Sequence, residues 1–273
     1  MYSHHLSTVR RPRAPKTART LSGVSGRKAG SAEGGSRSQS QVVLDGITSM
    51  ITAGSLTAGS RLPVEKDLAQ HLGVSRGSLR EGVRALVLMG VLETKQGAGT
   101  YVTALDPATL LAPLGFLVDL QRPGNIVDLM AVRRVLEVEA AGLAASRISD
   151  EELATAADVL AQMELMLDQE TIDHMAVMAA DVDFHRVIAQ ASGNTTLSAL
   201  IDGLASRTVR ARMWRALHKE GVERLTHAEH QAVLSALASR DPVATRLRMG
   251  VHLLNVEQYL AAHTDADSGW ASC

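Results

Sequence analysis

The chain has 273 residues, 45% of them apolar and 21% charged, with a formal net charge of −1 at pH 7. That length leaves room for two domains with their own cores plus tails. Its one cysteine, Cys273, is the last residue, so no internal disulfide framework exists and a reducing cytoplasm is the expected setting. No apolar run approaches the roughly 20 residues that span a bilayer, which excludes a helical membrane anchor.

The small net charge hides an asymmetry. Residues 1–104 hold 14 Lys or Arg against 6 Asp or Glu, whereas residues 105–273 hold 14 against 23. A basic front half and an acidic rear half suggest that only the first touches nucleic acid. Residues 1–40 contain eight basic residues and a single acid, Glu33, among many Ser, Thr and Gly. They predict a disordered basic arm adding non-specific phosphate contacts, although an Arg-rich, acid-poor transit peptide shares that composition.

Val43, Ile47, Met50 and Ile51 mark a first helix ending at Gly54. From Leu62 to Leu86 the pattern predicts two short helices around a tight turn. Leu68, Ala69 and Leu72 give the first an apolar face, Gly73 closes it in a left-handed cap, and Ser75 caps the next. On that second helix Leu79, Val83 and Leu86 face inward. Arg76, Arg80 and Arg84 repeat every four residues along one stripe. A helix so held and so armed suits the DNA major groove. After Gly90, Val91–Lys95 and Thr100–Thr103 read as two strands around Gln96-Gly-Ala-Gly99, a hairpin that would form the wing. Residues 41–104 are thus expected to be a winged helix-turn-helix; an ordinary helical hairpin with a basic face is the plainer reading.

This stretch resembles the GntR family of bacterial transcription regulators. The resemblance rests on Gly54, Leu56, Gly59, Arg61-Leu62-Pro63, Glu65, Asp67-Leu68-Ala69, Leu72-Gly73-Val74-Ser75-Arg76, Arg80-Glu81, Arg84-Ala85-Leu86, Gly90, Gly97 and Gly99. It implies that Lys66, Ser75, Arg76, Ser78, Arg80, Gln96 and Gly97 face DNA. The chain departs from the family where Lys66 replaces Arg, Gly77 replaces Thr or Ser, and Gly82 replaces Ala. Two glycines in a recognition helix cost about 1 kcal/mol each relative to Ala.

Beyond Pro107 no strand pattern of any length appears. A short apolar segment, Thr109–Leu120, precedes a break at Pro123-Gly124. Helices are then predicted near Val127–Arg147, Asp150–Gln169, His174–Ala191, Thr195–His218, Val222–Ser239 and Pro242–Ala262. Ser149-Asp-Glu-Glu152 and Asp241-Pro242 supply helix starts, and Gly193-Asn194 breaks the chain. The expected fold is mainly α: the winged helix, then residues 105–263 as an antiparallel bundle of six or seven helices, then a flexible tail over 264–273.

Within that bundle Asp181 and His185 lie four apart on one helix face. His230 precedes the Asp241-Pro242 break by 11 residues and His252 follows Asp241 by 11, so an antiparallel hairpin sets them level. One carboxylate and three imidazoles suit a transition-metal site, against the alternative of hydrogen-bonded core histidines. His174, His218 and His227 warn that a helical histidine need not be a ligand.

The bundle also resembles the FCD domain of the FadR-type branch, through Asp128-Leu129, Arg133 with Leu136-Glu137, Asp181 with Phe184-His185, Ser192-Gly-Asn194, Glu229-His230, Asp241-Pro242 and His252-Leu253. The resemblance implies Asp181, His185, His230 and His252 as ligands of a divalent ion; zinc, nickel, iron and manganese are not distinguished. Arg133 would hold an effector carboxylate or else pair with Glu137, and Asn194 would touch the effector or else cap a turn. The implied function is a ligand-responsive regulator, a repressor acting as a homodimer on a palindromic double-stranded DNA operator and controlled by a small organic acid. The alternative is a metal-dependent hydrolase with a DNA-binding adaptor, which lacks an obvious carboxylate base beside the ligands.

Overall fold

A computed structural model describes residues 37–120 and 126–263. Nearly all of the expected basic arm, the break at Pro123-Gly124 and the tail over 264–273 lie outside the described residues.

The first part is built from α1 (Gln39–Thr52), α2 (Glu65–Leu72), α3 (Arg76–Leu88), β1 (Leu92–Lys95) and β2 (Gly99–Val102). Val43, Ile47, Leu68, Leu79 and Leu86 are buried in one core with Leu92 and Val102. Gly73 turns the chain between α2 and α3 at φ 67°, and Ser75 Oγ accepts the Ser78 N–H at 3.0 Å to start α3. These two residues decide the angle between the helices, because one ends α2 in a backbone state costly for a β-carbon and the other satisfies an orphan amide of α3. Strands β1 and β2 pair antiparallel, with Leu92 opposite Val102 and Lys95 opposite Gly99. Arg61 adds an isolated bridge to Tyr101, which ties the wing back to the segment before α2.

The second part contains two short pieces, α4 (Pro107–Leu111) and α5 (Pro113–Asp119), which meet at Ala112, and six longer helices. The latter are α6 (Ile126–Ala145), α7 (Asp150–Leu167), α8 (His174–Ala191), α9 (Thr195–His218), α10 (Val222–Ala238) and α11 (Pro242–His263). Their starts follow side-chain chemistry. A capping box joins Ser149 and Glu152 at α7, Asp173 Oδ1 accepts from Met175 and Ala176 at α8, and Asp241 Oδ1 accepts from Val243 and Ala244 at α11. Helix α6 packs most extensively on α11, while α8 lies against α7, α9 and α6. With few aromatics available, Ala, Leu, Val and Met fill the main core around Phe184. None of the described helices is long and apolar enough to cross a membrane.

Candidate metal centre and nucleic-acid interface

The expected DNA-contacting residues lie on α2, at the start of α3 and along it, and at the wing tip. Lys66, Ser75, Arg76, Arg80, Gln96 and Gly97 are exposed and Ser78 is half-buried. Ser75 is spent partly on its cap, and its Oγ also lies 2.9 Å from Ser78 Oγ. Gly97 sits at φ 73° at the wing tip, where the Ala98 N–H donates to Lys95 O at 3.0 Å. Gly99, at φ 115°, has a second reason for lacking a side chain: a β-carbon there would lie 2.8 Å from Arg61 Nε. The glycine thus lets Arg61 lie flat against the wing. One contact was not foreseen from sequence. Arg80 donates to Glu65, the first residue of α2, with Nη2 at 2.8 Å and Nε at 2.9 Å from Oε2.

In the bundle, α8 supplies Asp181 and His185 on one face, α10 supplies His230 and α11 supplies His252. All four are buried. The structure brings the three histidines together, with one ring nitrogen from each lying within 4.8 Å of the others. His230 Nε2 and His252 Nε2 are 3.2 Å apart, near the separation of about 3.3 Å that two imidazole ligands of one tetrahedral ion adopt. Asp181 stands beside this trio rather than within it: Oδ1 is 3.6 Å from His230 Nε2, while Oδ2 accepts from Arg212.

Carboxylates back the imidazoles. Glu229 Oε2 lies 2.8 Å from His252 Nδ1, and Glu137 Oε2 contacts His185 Nδ1. A carboxylate behind one ring nitrogen turns the other toward a metal and fixes the ring's tautomer. Neither nitrogen of His185 has a well-formed hydrogen bond, and Nδ1 of His230 has no partner. Burial drives the His252 imidazole down to about 4 against the opposing pull of Glu229, and it drives His230 well below the ordinary histidine value, helped by His252 and His185. Burial favours the neutral imidazole at His230 and His252, and His185 and His230 carry ring nitrogens without a partner, so the residues fit a transition ion.

Both residues expected at the effector have partners close along the chain. Arg133 is buried and its Nε donates to Glu137 Oε1, one turn along the same helix. A guanidinium removed from water needs a counter-charge, and the nearest one is on its own helix. Asn194 is exposed and caps α9, its Oδ1 accepting from the Leu197 N–H at 3.1 Å. Neither lines the pocket beside the histidines. That pocket is bordered by Asp181, His252, Arg212, Arg215 and Thr226 together with Met178. Arg212 and Arg215 are both buried, and Arg215 Nε has no partner. Their signal in the sequence was faint: two arginines three apart on a helix that otherwise faces a core.

A winged helix-turn-helix, followed by a helical bundle that clusters three buried imidazoles next to a pocket walled by His252, Arg212 and Arg215, has the build of a ligand-responsive transcription regulator. Residues 39–102 match the model for bacterial regulatory proteins of the gntR family, and residues 128–255 match the FCD domain. The HTH-type transcriptional regulator LutR of Bacillus subtilis is 32% identical over 220 residues, covering 78% of this chain and 97% of that one. The putative L-lactate dehydrogenase operon regulatory protein of Escherichia coli is 32% identical over 226 residues, covering 80% and 84%. Among solved structures, a Streptococcus agalactiae GntR protein superposes with a TM-score of 0.57 at 26% identity, over 81% of this chain and 99% of that one. The chain belongs to the gntR family and carries an FCD domain. Its relatives are regulators and not enzymes, and nothing among them supports the hydrolase reading. The three histidines could hold a metal ion, as FCD domains often do.

Proposed function

We infer that the protein is a repressor acting in the cytoplasm as a homodimer on an imperfect DNA palindrome, released when a small carboxylate binds its bundle. In this reading residues 41–104 contact DNA through Lys66, Ser75, Arg76, Ser78, Arg80, Gln96 and Gly97, and residues 105–263 sense the effector and dimerise. Residues 1–40 form the basic arm and 264–273 a tail.

A divalent transition ion would be held by His185, His230 and His252 with Asp181 completing the set. When bound, it supplies a positive centre that attracts and polarises an organic carboxylate. The chain's own residues do the rest. Arg215, buried with an unpartnered Nε at the pocket, is placed to donate to an acid's carboxylate, and Arg212 lines the same wall. Arg133 contributes through Glu137, which it keeps ionised behind His185. Names among the relatives point to lactate-like acids as the first effectors to try.

The observation that carries the reading is the convergence of three buried imidazoles, two of them with unpartnered ring nitrogens, beside two buried arginines. The ligand acts by binding one arrangement of the bundle more tightly than another, which alters the separation of the two DNA-reading heads. The test is isothermal calorimetry of metal-loaded protein with L-lactate and related hydroxy acids. Saturable binding that is lost in Arg215→Ala supports the reading, and absence of binding by every small acid tried removes it.

A further inference from the structure

Arg80 projects from the exposed stripe of α3 into the groove between the recognition helix and the wing, where Arg61, Arg84 and Thr94 also lie. Its guanidinium is held. Nε lies 3.1 and 2.9 Å from the two Glu65 oxygens, and Nη2 lies 2.8 Å from Oε2. The carboxylate therefore covers one side of the guanidinium fork. Of the five N–H donors, that leaves both on Nη1 and the second on Nη2; one from each nitrogen forms the outer edge, and the other Nη1 donor faces the Cδ side. A two-donor edge of this kind matches O6 and N7 of guanine in the major groove.

Both side chains are roughly half exposed, at 61% for Arg80 and 52% for Glu65. An ion pair so open to water adds little to stability, so fold maintenance is a poor account of it. Its effect is on geometry, because a long flexible side chain is fixed in one plane before DNA arrives. Hydrogen bonds from Arg80 also hold the Glu65 carboxyl below the usual carboxylate range, aided by the charges of Arg80 and Arg76, so the brace stays ionised.

We propose that Glu65 is a specificity-determining positioning residue: it braces Arg80 side-on so that the outer edge of the guanidinium is presented to guanine. The idea rests on the reading of α3 as the recognition helix. It also assigns an acid to a surface that binds a polyanion, where its charge alone opposes binding. That opposition makes the proposal separable from simpler ones. A brace raises specific affinity while lowering affinity for arbitrary duplex, whereas a mere negative charge lowers both.

The test uses the full chain. A preferred duplex is first selected from a random pool by wild-type protein. Affinities for that duplex and for a scrambled one are then measured by fluorescence anisotropy for wild type, Glu65→Gln, Arg80→Ala and the double variant, alongside their melting temperatures. The expected result for Glu65→Gln is a loss of roughly 10-fold on the selected duplex, with guanine discrimination relaxed at one position, and an equal or tighter hold on the scrambled duplex. In the Arg80→Ala background, Glu65→Gln should cause no further loss. Parallel changes on both duplexes, or an equal loss with and without Arg80, would overturn the proposal. So would relaxation at a cytosine independent of Arg80, because Glu65 would then read the base itself. Failure of wild-type protein to select any duplex would instead refute the DNA-binding reading beneath it.

Discussion

Glu137→Ala is the substitution whose consequence follows most directly from the bundle's interior. Arg133 and Glu137 are 3% and 2% exposed, and Nη1 of Arg133 already lacks a hydrogen-bond partner. Burial pushes the Glu137 carboxyl up, but the charges of Arg133 and then His185 outweigh it and leave the group below the ordinary carboxylate range. Removing the carboxylate strands a buried guanidinium, which costs about 3–5 kcal/mol. For a domain of this size each kcal/mol is worth about 2–4 °C, so melting should fall by roughly 6–20 °C. Thermal unfolding followed by circular dichroism at 222 nm, with metal content matched between samples, reads the effect. The control is Arg133→Met/Glu137→Met, which removes both charges and keeps apolar volume. It should melt close to wild type, because a buried ion pair replaced by well-packed apolar groups is often neutral. If Glu137→Ala melts like wild type, or the double variant is as damaged as the single, the charge argument is wrong.

Other outcomes follow from the same structure. The two unusual glycines of α3 should behave oppositely on replacement by Ala. At Gly77 a β-carbon meets only Ser75 Oγ at 3.7 Å, so Gly77→Ala should stabilise by up to about 1 kcal/mol in urea unfolding. At Gly82 it would lie 2.5 Å from Val43 Cγ1 and 2.6 Å from Val43 Cβ, so Gly82→Ala should destabilise by about 1–3 kcal/mol, and Val43→Ala, which keeps that Cβ, should not rescue it. Lys66→Ala should weaken binding to all duplexes alike and reduce the salt slope by about 1, read from affinities across a salt series. Chelation should lower the melting temperature of metal-loaded wild type, since an ion at about 1,000 times its Kd adds about 4 kcal/mol. His252→Ala should abolish that chelator response, and elemental analysis should find its bound metal reduced.

Much of this was legible in the residues because the signals were local. Gly73, Ser75, Ser149 and Asp241 announce helix ends through backbone chemistry that acts within four residues, and α8 and α9 run over the predicted spans His174–Ala191 and Thr195–His218. The level pairing of His230 and His252 also came from arithmetic along one hairpin, and their rings meet at 3.2 Å. What escaped was non-local. Nothing in the spacing says that Arg212 reaches Asp181, 31 residues earlier, or that Arg80 turns back to Glu65 across the helix-turn-helix. Arg133 and Asn194 show the complementary lesson. Each had a near partner, Glu137 at i+4 and an amide at i+3, and the near partner took it.

The central claim is that occupancy of the bundle pocket controls the DNA-reading heads. The direct measurement is operator affinity of the metal-loaded protein by fluorescence anisotropy, titrated with L-lactate and related small acids, for wild type and Arg215→Ala. The account predicts that at least one acid weakens the wild-type complex about 10-fold or more and leaves the Arg215→Ala complex unmoved. An operator complex of unchanged affinity at saturating concentrations of an acid that calorimetry shows to be bound would contradict it.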